Sequence, residues 1–451
     1  MMPRDLALAA LNSQNLSPGF HERYLEKAFK EMPHLNERDR AFTLHMVQGV
    51  LRWQIRLDWV VKETVRFPFG KIQPPILNIL RLALYQIFFM DRVPDSAAVN
   101  EAVKQAKAFR YNHVKGFVNG ILRNICRHKG RITFPDRDSD RARYLSLVYS
   151  YPIWLVRKWT MEMGAEEAER LLDAGNRLPN LVIRTNTLKT ERGRLIEILN
   201  DEGVNAIPLP YSPEGIAFDG FKGTVNRLKA FREGLFQVQG EAAQICSHLA
   251  LPQPGESVLD LCAGLGGKST HLAALMGDRG LILALDRNHF RLTNLLKSSM
   301  RLGIGSLYPV VADATAPVSS FLRHTFDSIL IDGPCSGLGV ISRHPDTKLA
   351  KGEGDIKRLA LLQSRMLNRA VPLLKTGGRM LYVTCTISRE ENEGVVESFL
   401  KGNSEMAPMN LKDYCPEWGL DLIDDNGFFK AFPHVHGMEG FFGALFRKAW
   451  P

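Results

Sequence analysis

The sequence has few cysteines, no long apolar segment and no recognisable leader. Its six cysteines in 451 residues include no C-x-x-C pair, so neither a disulfide framework nor a zinc site is predicted, and isolated thiols fit a reducing cytosol. The most apolar helical stretch, residues 76–90, is interrupted by polar side chains and is too short to cross a membrane. The N-terminus carries no apolar run of the kind that a signal peptide needs. We therefore expect a cytoplasmic protein with no resident metal ion and no membrane contact.

One stretch of the chain lacks acidic residues. The whole chain has a formal net charge of +10 and an isoelectric point of about 9.3, which favours a polyanionic partner. Between Ala102 and Pro135 there is no Asp or Glu. The basic and aromatic residues of this stretch are Lys104, Lys107, Arg110, Lys115, Arg123, Arg127, Lys129 and Arg131 with Tyr111, His113 and His128. This composition suits a surface that follows a nucleic-acid backbone. The alternative is a solvated face balanced by acids elsewhere in the fold.

Length and hydrophobic periodicity predict three regions, since 451 residues exceed one ordinary domain. Residues 1–138 carry apolar side chains at helical spacing without a strand pattern, which predicts an all-α bundle. Residues 139–245 mix short strands and helices and are expected to form a small α+β domain that links the others or contacts RNA. Residues 246–451 alternate strands and helices, which predicts an α/β Rossmann-like sheet. Its parallel strands are expected at 258–262, 281–286, 307–312, 327–332 and 379–385.

A glycine-rich turn follows the first of these strands, in the stretch Val258-Leu-Asp-Leu-Cys-Ala-Gly-Leu-Gly-Gly-Lys-Ser-Thr270. A strand, a glycine turn and a helix frame many nucleotide sites, because glycines admit a ligand to the backbone and the helix offers unpaired N–H groups. A Walker A loop is excluded because Cys262 stands where its first glycine is required. A dinucleotide fingerprint is weakened because position 269 is serine. The remaining prediction is a site for a nucleoside cofactor.

Four of the expected strands end in aspartate, at Asp260, Asp286, Asp313 and Asp332. The carboxyl ends of parallel strands share one edge of the sheet, and ligands bind at that edge in this architecture. Asp286 follows the glycine turn by about 20 residues, a distance that suits an acid on the ribose hydroxyls. The alternative is that these aspartates only cap the helices that follow them.

Two cysteines, Cys335 and Cys385, directly follow strands at the same edge. Cysteine usually packs as a small apolar residue, but two thiols beside Asp332 indicate nucleophilic catalysis by a thiolate. Lys268, or the N-terminus of the helix after Cys385, could stabilise that thiolate. The residues themselves do not rank the two cysteines.

One reaction uses an adenosine-type cofactor, a thiol nucleophile, an acid beside it and a surface for RNA, and it is methylation of cytosine at C5. A thiolate adds to C6 and enables C5 to attack a sulfonium methyl group, while Asp332 assists at the N3 side of the ring. A base then removes the C5 proton and the thiol leaves. The target base must first leave its stack to reach these groups.

The same motifs resemble a known family. They are Asp260-Leu-Cys-Ala-Gly-Leu-Gly-Gly-Lys268, Asp332-Gly-Pro-Cys-Ser-Gly337, Arg343-His-Pro-Asp346, Thr384-Cys-Thr-Ile-Ser388 and Glu390-Glu-Asn392. Together they resemble the Sun/Nop family of RNA cytosine-5 methyltransferases, and residues 93–102 are similar to the NusB-type RNA-binding domain. The resemblance covers nearly the whole chain. It implies S-adenosyl-L-methionine as cofactor and a Rossmann-like methyltransferase sheet preceded by a NusB-like bundle and a small α+β domain.

The resemblance also implies roles for individual residues. Cys385 would be the attacking thiol and Cys335 would assist release of the product, with Asp332 and Lys268 as the other catalytic residues. The cofactor-binding set would be Cys262, Ala263, Gly264, Leu265, Gly266, Gly267, Lys268, Asp286, Arg291, Asp313 and Asp332. Within this set Asp286 would hold the ribose, Asp313 would hold the adenine side, and Asp332 would lie between the cofactor and the target base.

The chain departs from the family pattern at three places. Gly264-Leu265 stands in place of the usual Ala-Pro, which loosens the turn. Gly240 stands where the family has an acid, and Glu439 stands where Asp is usual.

The expected substrate follows from the order of the regions. A NusB-like region before this catalytic region resembles bacterial family members that act on 16S ribosomal RNA. We expect a monomer that binds 16S rRNA, either naked or in an early 30S assembly intermediate. Two alternatives stay open. The same chemistry could act on tRNA or another RNA, because target choice is inferred only by analogy. The chain could also be an RNA-binding assembly factor with a dormant methyltransferase domain, although the intact catalytic residues disfavour this.

Overall fold

The computed structural model describes residues 2–13, 19–108, 112–221, 223–316 and 323–449, so Arg110 and Tyr111 of the basic stretch lie outside the described residues. The chain divides into two compact units. Unit 1 comprises Met1–Arg177 and Ile341–Ala350, and unit 2 comprises Leu178–Val340 and Lys351–Pro451. The division at residues 138 and 245 expected from the sequence stays a prediction.

Helices and strands follow one another along both units. The α-helices are α1 (Pro3–Asn12), α2 (Phe20–Glu31), α3 (Glu37–Thr64), α4 (Pro74–Phe89), α5 (Asp95–Ala108), α6 (Lys115–Arg127), α7 (Arg141–Tyr149), α8 (Ile153–Met163), α9 (Ala165–Ala174), α10 (Arg192–Asp201), α11 (Lys229–Arg232), α12 (Glu241–Leu249), α13 (Gly267–Leu275), α14 (His289–Leu302), α15 (Thr347–Ala350), α16 (Glu353–Ala370), α17 (Glu393–Gly402) and α18 (Pro433–His436). The strands are β1 (Leu181–Thr185), β2 (Ala206–Pro208), β3 (Gly215–Phe218), β4 (Phe236–Val238), β5 (Ser257–Asp260), β6 (Leu281–Asp286), β7 (Leu307–Val311), β8 (Phe326–Asp332), β9 (Leu374–Thr384), β10 (Met406–Met409), β11 (Phe429–Ala431) and β12 (Phe441–Lys448). Among the described helices, none combines the length and the apolar character that a membrane span requires.

Unit 1 is built around α4. Pro74 and Pro75 occupy its first turn, where a missing N–H has no consequence. Most of its side chains are buried whichever way they face, which makes it the central helix of a bundle rather than an amphipathic surface helix. The long helix α3 packs beside it and begins at Asn36, whose side-chain oxygen accepts a hydrogen bond from Asp39 N–H at 2.9 Å. The all-α bundle predicted from the sequence is confirmed.

The segment Ile341–Ala350 packs into unit 1 although it lies far along the chain. Arg52 Nη2 donates a hydrogen bond to Ser342 O at 2.6 Å. Gly19 N–H donates to Asp346 Oδ2 at 2.7 Å. Lys348 is fully buried, with its Nζ atom 3.7 Å from the centre of the Tyr151 ring. Charged side chains are buried only when they are held in this way, so the segment is a fixed part of the bundle.

The first sheet of unit 2 is small and antiparallel, in the order β2-β3-β1-β4. Helix α10 packs against it through Leu195 and Leu199, which join Ile183, Ile216 and Phe236 in one apolar core. This is the small α+β domain expected from the sequence.

The second sheet of unit 2 has the order β10-β12-β9-β8-β5-β6-β7, with β11 paired to β12. The strands from β9 to β7 are parallel, and β12 runs antiparallel to β9. Successive residues of one strand enter different cores: Val258 packs with α12 and α13, whereas Leu259 packs with α16 and α17. Helices therefore cover both faces, and the predicted Rossmann-like sheet is confirmed.

Gly49 in α3 offers a test of how tightly the bundle is packed. A Cβ atom at this position would overlap the ring of Tyr85, which is itself buried and stacked on Phe89. We expect Gly49→Ala to destabilise unit 1 by about 1–3 kcal/mol because the ring must move within a packed core. Hydrogen exchange of the amides of α3 and α4 measures this loss.

Gly120→Ala in α6 is the matched control. Gly120 is exposed in a helix and has no heavy atom within 4 Å of an added Cβ. Alanine there should stabilise the helix by about 0.5–1 kcal/mol. Equal protection in the Gly49→Ala variant and in the unsubstituted chain would show that the Tyr85 ring relaxes without cost.

Candidate active site

The register of the parallel strands places the expected acids in one row. Asp260 is level with Ala284 of β6 and Leu330 of β8, so Asp286 and Asp332 each lie two residues further toward the carboxyl edge. The same offset recurs at the outer strand, because Asp286 is level with the last residue of β7 and Asp313 follows two residues later. The row is thus a consequence of strand pairing and not of any contact among the acids themselves.

The register also brings the two cysteines together. Asp332 is level with Val383 of β9, and Cys385 follows two residues later. Cys335 lies three residues beyond Asp332 in the neighbouring loop. The two Sγ atoms are 3.2 Å apart, within hydrogen-bond distance for sulfur.

The glycine turn between β5 and α13 depends on two glycines with positive φ. Gly264 has φ +57° and Gly266 has φ +81°, a region in which side chains are strained. At Gly266 a Cβ atom would also overlap the side chain of Leu295, whereas at Gly264 the nearest heavy atom is Cys262 O at 4.0 Å. The turn is closed by Gly266 N–H, which donates to Ala263 O at 2.8 Å. The turn therefore packs against the protein at Gly266, whereas there is free space beside Gly264.

The other loop residues of the predicted cofactor set differ in exposure. Cys262 is half-buried, Ala263 is buried and Leu265 is exposed, with 58% of its surface accessible. Gly267 is the first residue of α13, and its carbonyl oxygen accepts a hydrogen bond from Arg184 Nη1 at 2.7 Å. The buried Arg184 guanidinium thus fixes the start of the helix, a contribution that the sequence did not reveal.

Asp286 and Asp313 are held by local backbone groups. Asp286 Oδ2 accepts Gly264 N–H at 3.1 Å and its Oδ1 accepts Asn288 N–H at 2.7 Å, while Arg291 Nη1 lies 3.8 Å from Oδ2. Asp313 is exposed, and hydrogen bonds from Thr315 lower the pKa of its carboxyl group. Both carboxylates are thus fixed at the carboxyl edge of the sheet, but Asp286 is buried whereas Asp313 is exposed.

Asp260 is enclosed. Its Oδ2 accepts the hydroxyl of Ser269 at 2.7 Å and its Oδ1 accepts Cys262 N–H at 3.3 Å. Burial raises the pKa of Asp260 to about 6, and the hydrogen bond from Ser269 only partly offsets this. Asp260 therefore ties the glycine turn to α13 and has no open side toward a ligand.

Lys268 and Asp332 form an ion pair beside the thiols. The Nζ–Oδ2 distance is 2.6 Å, and Nζ also lies 5.2 Å from the centre of the Phe441 ring. Burial alone disfavours the Lys268 ammonium, but Asp332 and the nearby thiols outweigh burial and raise the pKa of Lys268 above its ordinary value. Lys268 is therefore a fixed positive charge at this edge.

The thiols of unit 2 differ in environment. The hydrogen bond with Cys385 and burial raise the pKa of Cys335 well above its ordinary value. Burial raises the pKa of Cys246 to about 12 and also raises the pKa of Cys262. Cys335 thus retains its proton and can donate S–H to the sulfur of Cys385. Cys246 and Cys262 are packed thiols without a catalytic environment.

Two departures from the family pattern lie against each other. A Cβ atom at Gly240 would overlap the carboxyl group of Glu439. Glu439 reaches into space that any side chain at position 240 would need. A side chain at position 240 would therefore require the Glu439 carboxyl group to move.

Sequence reasoning missed a polar network behind the cysteines. Ser336, Gln363, Thr386 and Glu391 are completely or almost completely buried and are joined by hydrogen bonds. Glu391 belongs to the Glu390-Glu-Asn392 motif that resembles the family, but the motif by itself indicates no role for this residue. Gln363 lies on α16, 28 positions from Glu391, and no local pattern signals it.

Within the described residues, Glu214, His248 and His271 form a group that could hold a metal ion, because their ligand atoms lie within 4.8 Å of one another. His248 Nε2 lies 2.9 Å from Glu214 Oε2, an ordinary hydrogen bond, and His271 Nε2 lies 3.8 Å from the same oxygen. Burial and then the charge of Arg184 lower the pKa of His271. The same charge would oppose a divalent cation. The absence of a metal stays a prediction.

Three families match successive parts of the chain. The family described as 16S rRNA methyltransferase RsmB/F matches residues 247–447. The NusB family matches residues 1–127, and the ferredoxin-like domain of RsmF/B-like methyltransferases matches residues 151–223. The predicted fold class is thereby confirmed for the bundle, the small domain and the large sheet.

Individual relatives match almost the whole chain. The probable ribosomal RNA small subunit methyltransferase B of Bacillus subtilis is 33% identical over 446 residues, which covers 99% of this chain and 98% of the relative. The ribosomal RNA small subunit methyltransferase B of Escherichia coli O7:K1 is 32% identical over 400 residues, which covers 88% and 91%. The crystal structure of PH0851 shares 28% identity at a TM-score of 0.81, covering 99% of this chain and 97% of that chain.

The raised pKa of the buried Asp260 makes the free energy of unfolding depend on pH. Its folded-state pKa of about 6 lies above the unfolded value of about 3.9, so its contribution to stability is fully present below pH ~4 and is lost as the pH rises through ~6. Relative to Asp260→Asn, the unsubstituted protein should gain about 1–1.5 kcal/mol when the pH falls from ~7.5 to ~5. Hydrogen exchange of the β5 amides at both pH values measures the difference.

Asp278→Asn is the control of opposite sign. Hydrogen bonds from Ser306 and Gly305 outweigh burial and lower the pKa of Asp278, so its contribution is lost as the pH falls. A pH-independent difference between the unsubstituted protein and Asp260→Asn would contradict the assignment of a raised pKa to Asp260.

Proposed function

This chain belongs to the RsmB/F family of ribosomal RNA small subunit methyltransferases, and from that premise we propose that it methylates C5 of a specific cytosine in 16S rRNA. The observation that carries the proposal is the contact between Cys335 and Cys385, whose Sγ atoms are 3.2 Å apart beside the Lys268–Asp332 ion pair. Cytosine C5 is a weak nucleophile until another group adds at C6, and a thiol pair at a cofactor edge supports this chemistry. Because the proposed substrate is rRNA, we propose a cytoplasmic location for the protein.

The glycine turn and the acids beside it fit S-adenosyl-L-methionine. The turn is open at Gly264, Asp286 presents a carboxylate fixed by the turn, and Asp313 is exposed at the outer strand. S-adenosyl-L-methionine supplies an electrophilic sulfonium methyl group when it is bound. In this proposal Asp286 binds the ribose hydroxyls and Asp313 the adenine side. Residues 262–268 of the binding set form the turn and the start of α13, and Arg291 lies beside Asp286. Asp332 ends β8 beside Lys268 and would lie between the cofactor and the target base.

The catalytic residues would act on the target base in sequence. The Cys385 thiolate forms a bond to C6, and the electron pair of the C5–C6 double bond becomes available at C5. Lys268 holds Asp332 in place, and Asp332 assists at the N3 side of the ring. After C5 has been methylated, a base removes the C5 proton, the C5–C6 double bond re-forms and the C6–S bond breaks. Cys335, next to the sulfur, assists this elimination.

Unit 1 supports an RNA partner. In α6, Val118, Leu122 and Ile125 are buried, whereas Lys115 and Arg123 are exposed. Acids partly balance the basic stretch, since Lys104 pairs with Glu101 and Lys129 pairs with Asp95. Among the described residues, the exposed members of the stretch are Lys104, Lys107, His113, Lys115, Arg123, Arg127, His128 and Arg131. Such residues bind phosphates without reading sequence.

Methyl transfer from labelled S-adenosyl-L-methionine tests the function directly. Protein-free 16S rRNA and bulk tRNA are the two substrates, followed by nucleoside analysis. We expect 5-methylcytosine in the rRNA alone, and we expect Cys385→Ala to abolish it because the thiol proposed to form the adduct is removed. Cys126→Ala, which removes a thiol from unit 1, is the control and should retain activity. Label in tRNA alone would support the alternative substrate, and no label together with no cofactor binding would support a dormant factor.

Cys335→Ala should trap a covalent protein–RNA adduct. Addition of Cys385 to C6 needs no help from Cys335, but elimination does, so the adduct should accumulate while product formation falls. A denaturing gel with labelled RNA and cofactor measures the retarded species. The double variant Cys335→Ala with Cys385→Ala should give no adduct. A single variant that releases product at the normal rate would contradict the role of Cys335.

A further inference from the structure

Two loops carry the cysteines, and a buried carboxyl group lies between them. The Cys335 loop comprises residues 333–339 and the Cys385 loop comprises residues 385–392. Glu391 is fully buried, and its Oε1 accepts Ser336 N–H at 2.8 Å and Gln363 Nε2 at 3.0 Å. Gln363 also donates to Pro334 O at 3.0 Å. One carboxyl group and one amide thus hold both chain neighbours of Cys335.

The neighbours of Cys385 are held in the same way. Thr384 Oγ1 donates to Asn392 Oδ1 at 2.6 Å, and Asn392 Nδ2 donates to Thr386 O at 3.1 Å. The hydroxyl groups of Thr386 and Ser336 share a hydrogen bond of 2.8 Å, which joins the two loops directly. The positions of both thiols are therefore fixed from behind, by groups that do not touch the sulfur atoms.

The charge of Glu391 affects the pKa of the neighbouring Cys335 thiol. Burying a carboxylate is costly, and a neutral side chain of the same shape could accept the same hydrogen bonds. Burial raises the pKa of Glu391, although Ser336 and Gln363 oppose the shift. After the hydrogen bond with Cys385, burial and the charge of Cys385, the charge of Glu391 is the next cause of the raised pKa of Cys335, followed by that of Asp332. A negative charge behind the Cys335 loop keeps the proton on that thiol.

We propose that Glu391, together with Gln363, is a positioning residue that gives the two thiols different roles. It holds Cys335 as the proton-bearing partner against Cys385, and Cys385 is left as the nucleophile. The inference rests on the proposed function, because it assigns how that site distinguishes two adjacent thiols. Glu391 acts through Ser336 and through its charge, without contact with the reacting atoms.

The first experiment measures thiol reactivity and needs no RNA. The titratable or charged groups around the pair are Asp332 and Tyr382 beside Cys335, Lys268 and Cys246 beside Cys385, and Lys351 beside Glu391. Initial rates of iodoacetamide alkylation at Cys335 and Cys385 are measured against pH by peptide mass spectrometry of the full chain. In Glu391→Gln the midpoint for Cys335 should fall by about one pH unit, because a nearby negative charge has been removed. Glutamine keeps the acceptor oxygen, so the loop geometry is retained.

Glu397→Gln is the matched control, since Glu397 is exposed on α17, which follows the same loop. Its alkylation profile should coincide with that of the unsubstituted protein. An unchanged Cys335 midpoint in Glu391→Gln would overturn the inference, whatever happens to methylation.

The second experiment separates positioning from a purely structural role. Glu391→Gln should lower kcat about 10-fold with little change in KM for RNA, and the covalent adduct should persist longer. Gln363→Met, which removes the donor to Pro334 O, should act in the same direction. A fall in kcat that only follows loss of thermal stability, without a change in adduct lifetime, would overturn the assignment. If the unsubstituted protein transfers no methyl group, the proposed function fails, while the alkylation profile still decides this inference.

Discussion

The parallel register of β9, β8, β5 and β6 is the constraint on which the site depends. Each functional side chain stands at or just beyond a strand end, and pairing sets how far it extends. A slip of one residue would turn alternate side chains to the other face and separate the thiols. Both faces of the sheet are covered by helices with different apolar sets, and these two cores hold the register.

Charge balance at the sheet edge depends on Lys268. Asp260 and Asp332 are both close to it, and two thiols lie on the same side. Without a cation the carboxylates of the buried Asp260 and the half-buried Asp332 would repel each other, and each would resist ionisation. The lysine comes from the first turn of α13, so the glycine turn that precedes this helix also places the charge. The proposed cofactor loop and the proposed catalytic edge are therefore built from adjacent residues.

The hydrogen-bond network behind the cysteines fixes the backbone on either side of each thiol. Its members come from β9, the two cysteine loops and α16, and most of them have no contact with a sulfur atom. A thiol makes weak hydrogen bonds and cannot orient itself strongly. The backbone on either side of each cysteine must therefore be fixed by stronger donors and acceptors. Glu391 combines this fixing with a charge that distinguishes the two thiols.

The sequence determined the fold class, the succession of the parallel strands along the chain, the acids that end β5, β6 and β8 and the two cysteines that follow strands, because these depend on local patterns. Asp313 was also expected to end a strand, but β7 ends at Val311, two residues earlier. It was less accurate where local signals conflict. Helix α16 begins at Glu353 although Gly354 disfavours a helix. Strand β9 begins at Leu374, five residues before the predicted start at residue 379, although Gly377 and Gly378 suggest a turn. In both cases tertiary packing outweighs local preference.

Only the tertiary structure decided the remainder. The bond between Gln363 and Glu391, the place of Ile341–Ala350 in the helical unit, the anchoring of α13 by Arg184 and the fit of Gly240 to Glu439 join distant positions, for which no periodicity or spacing exists.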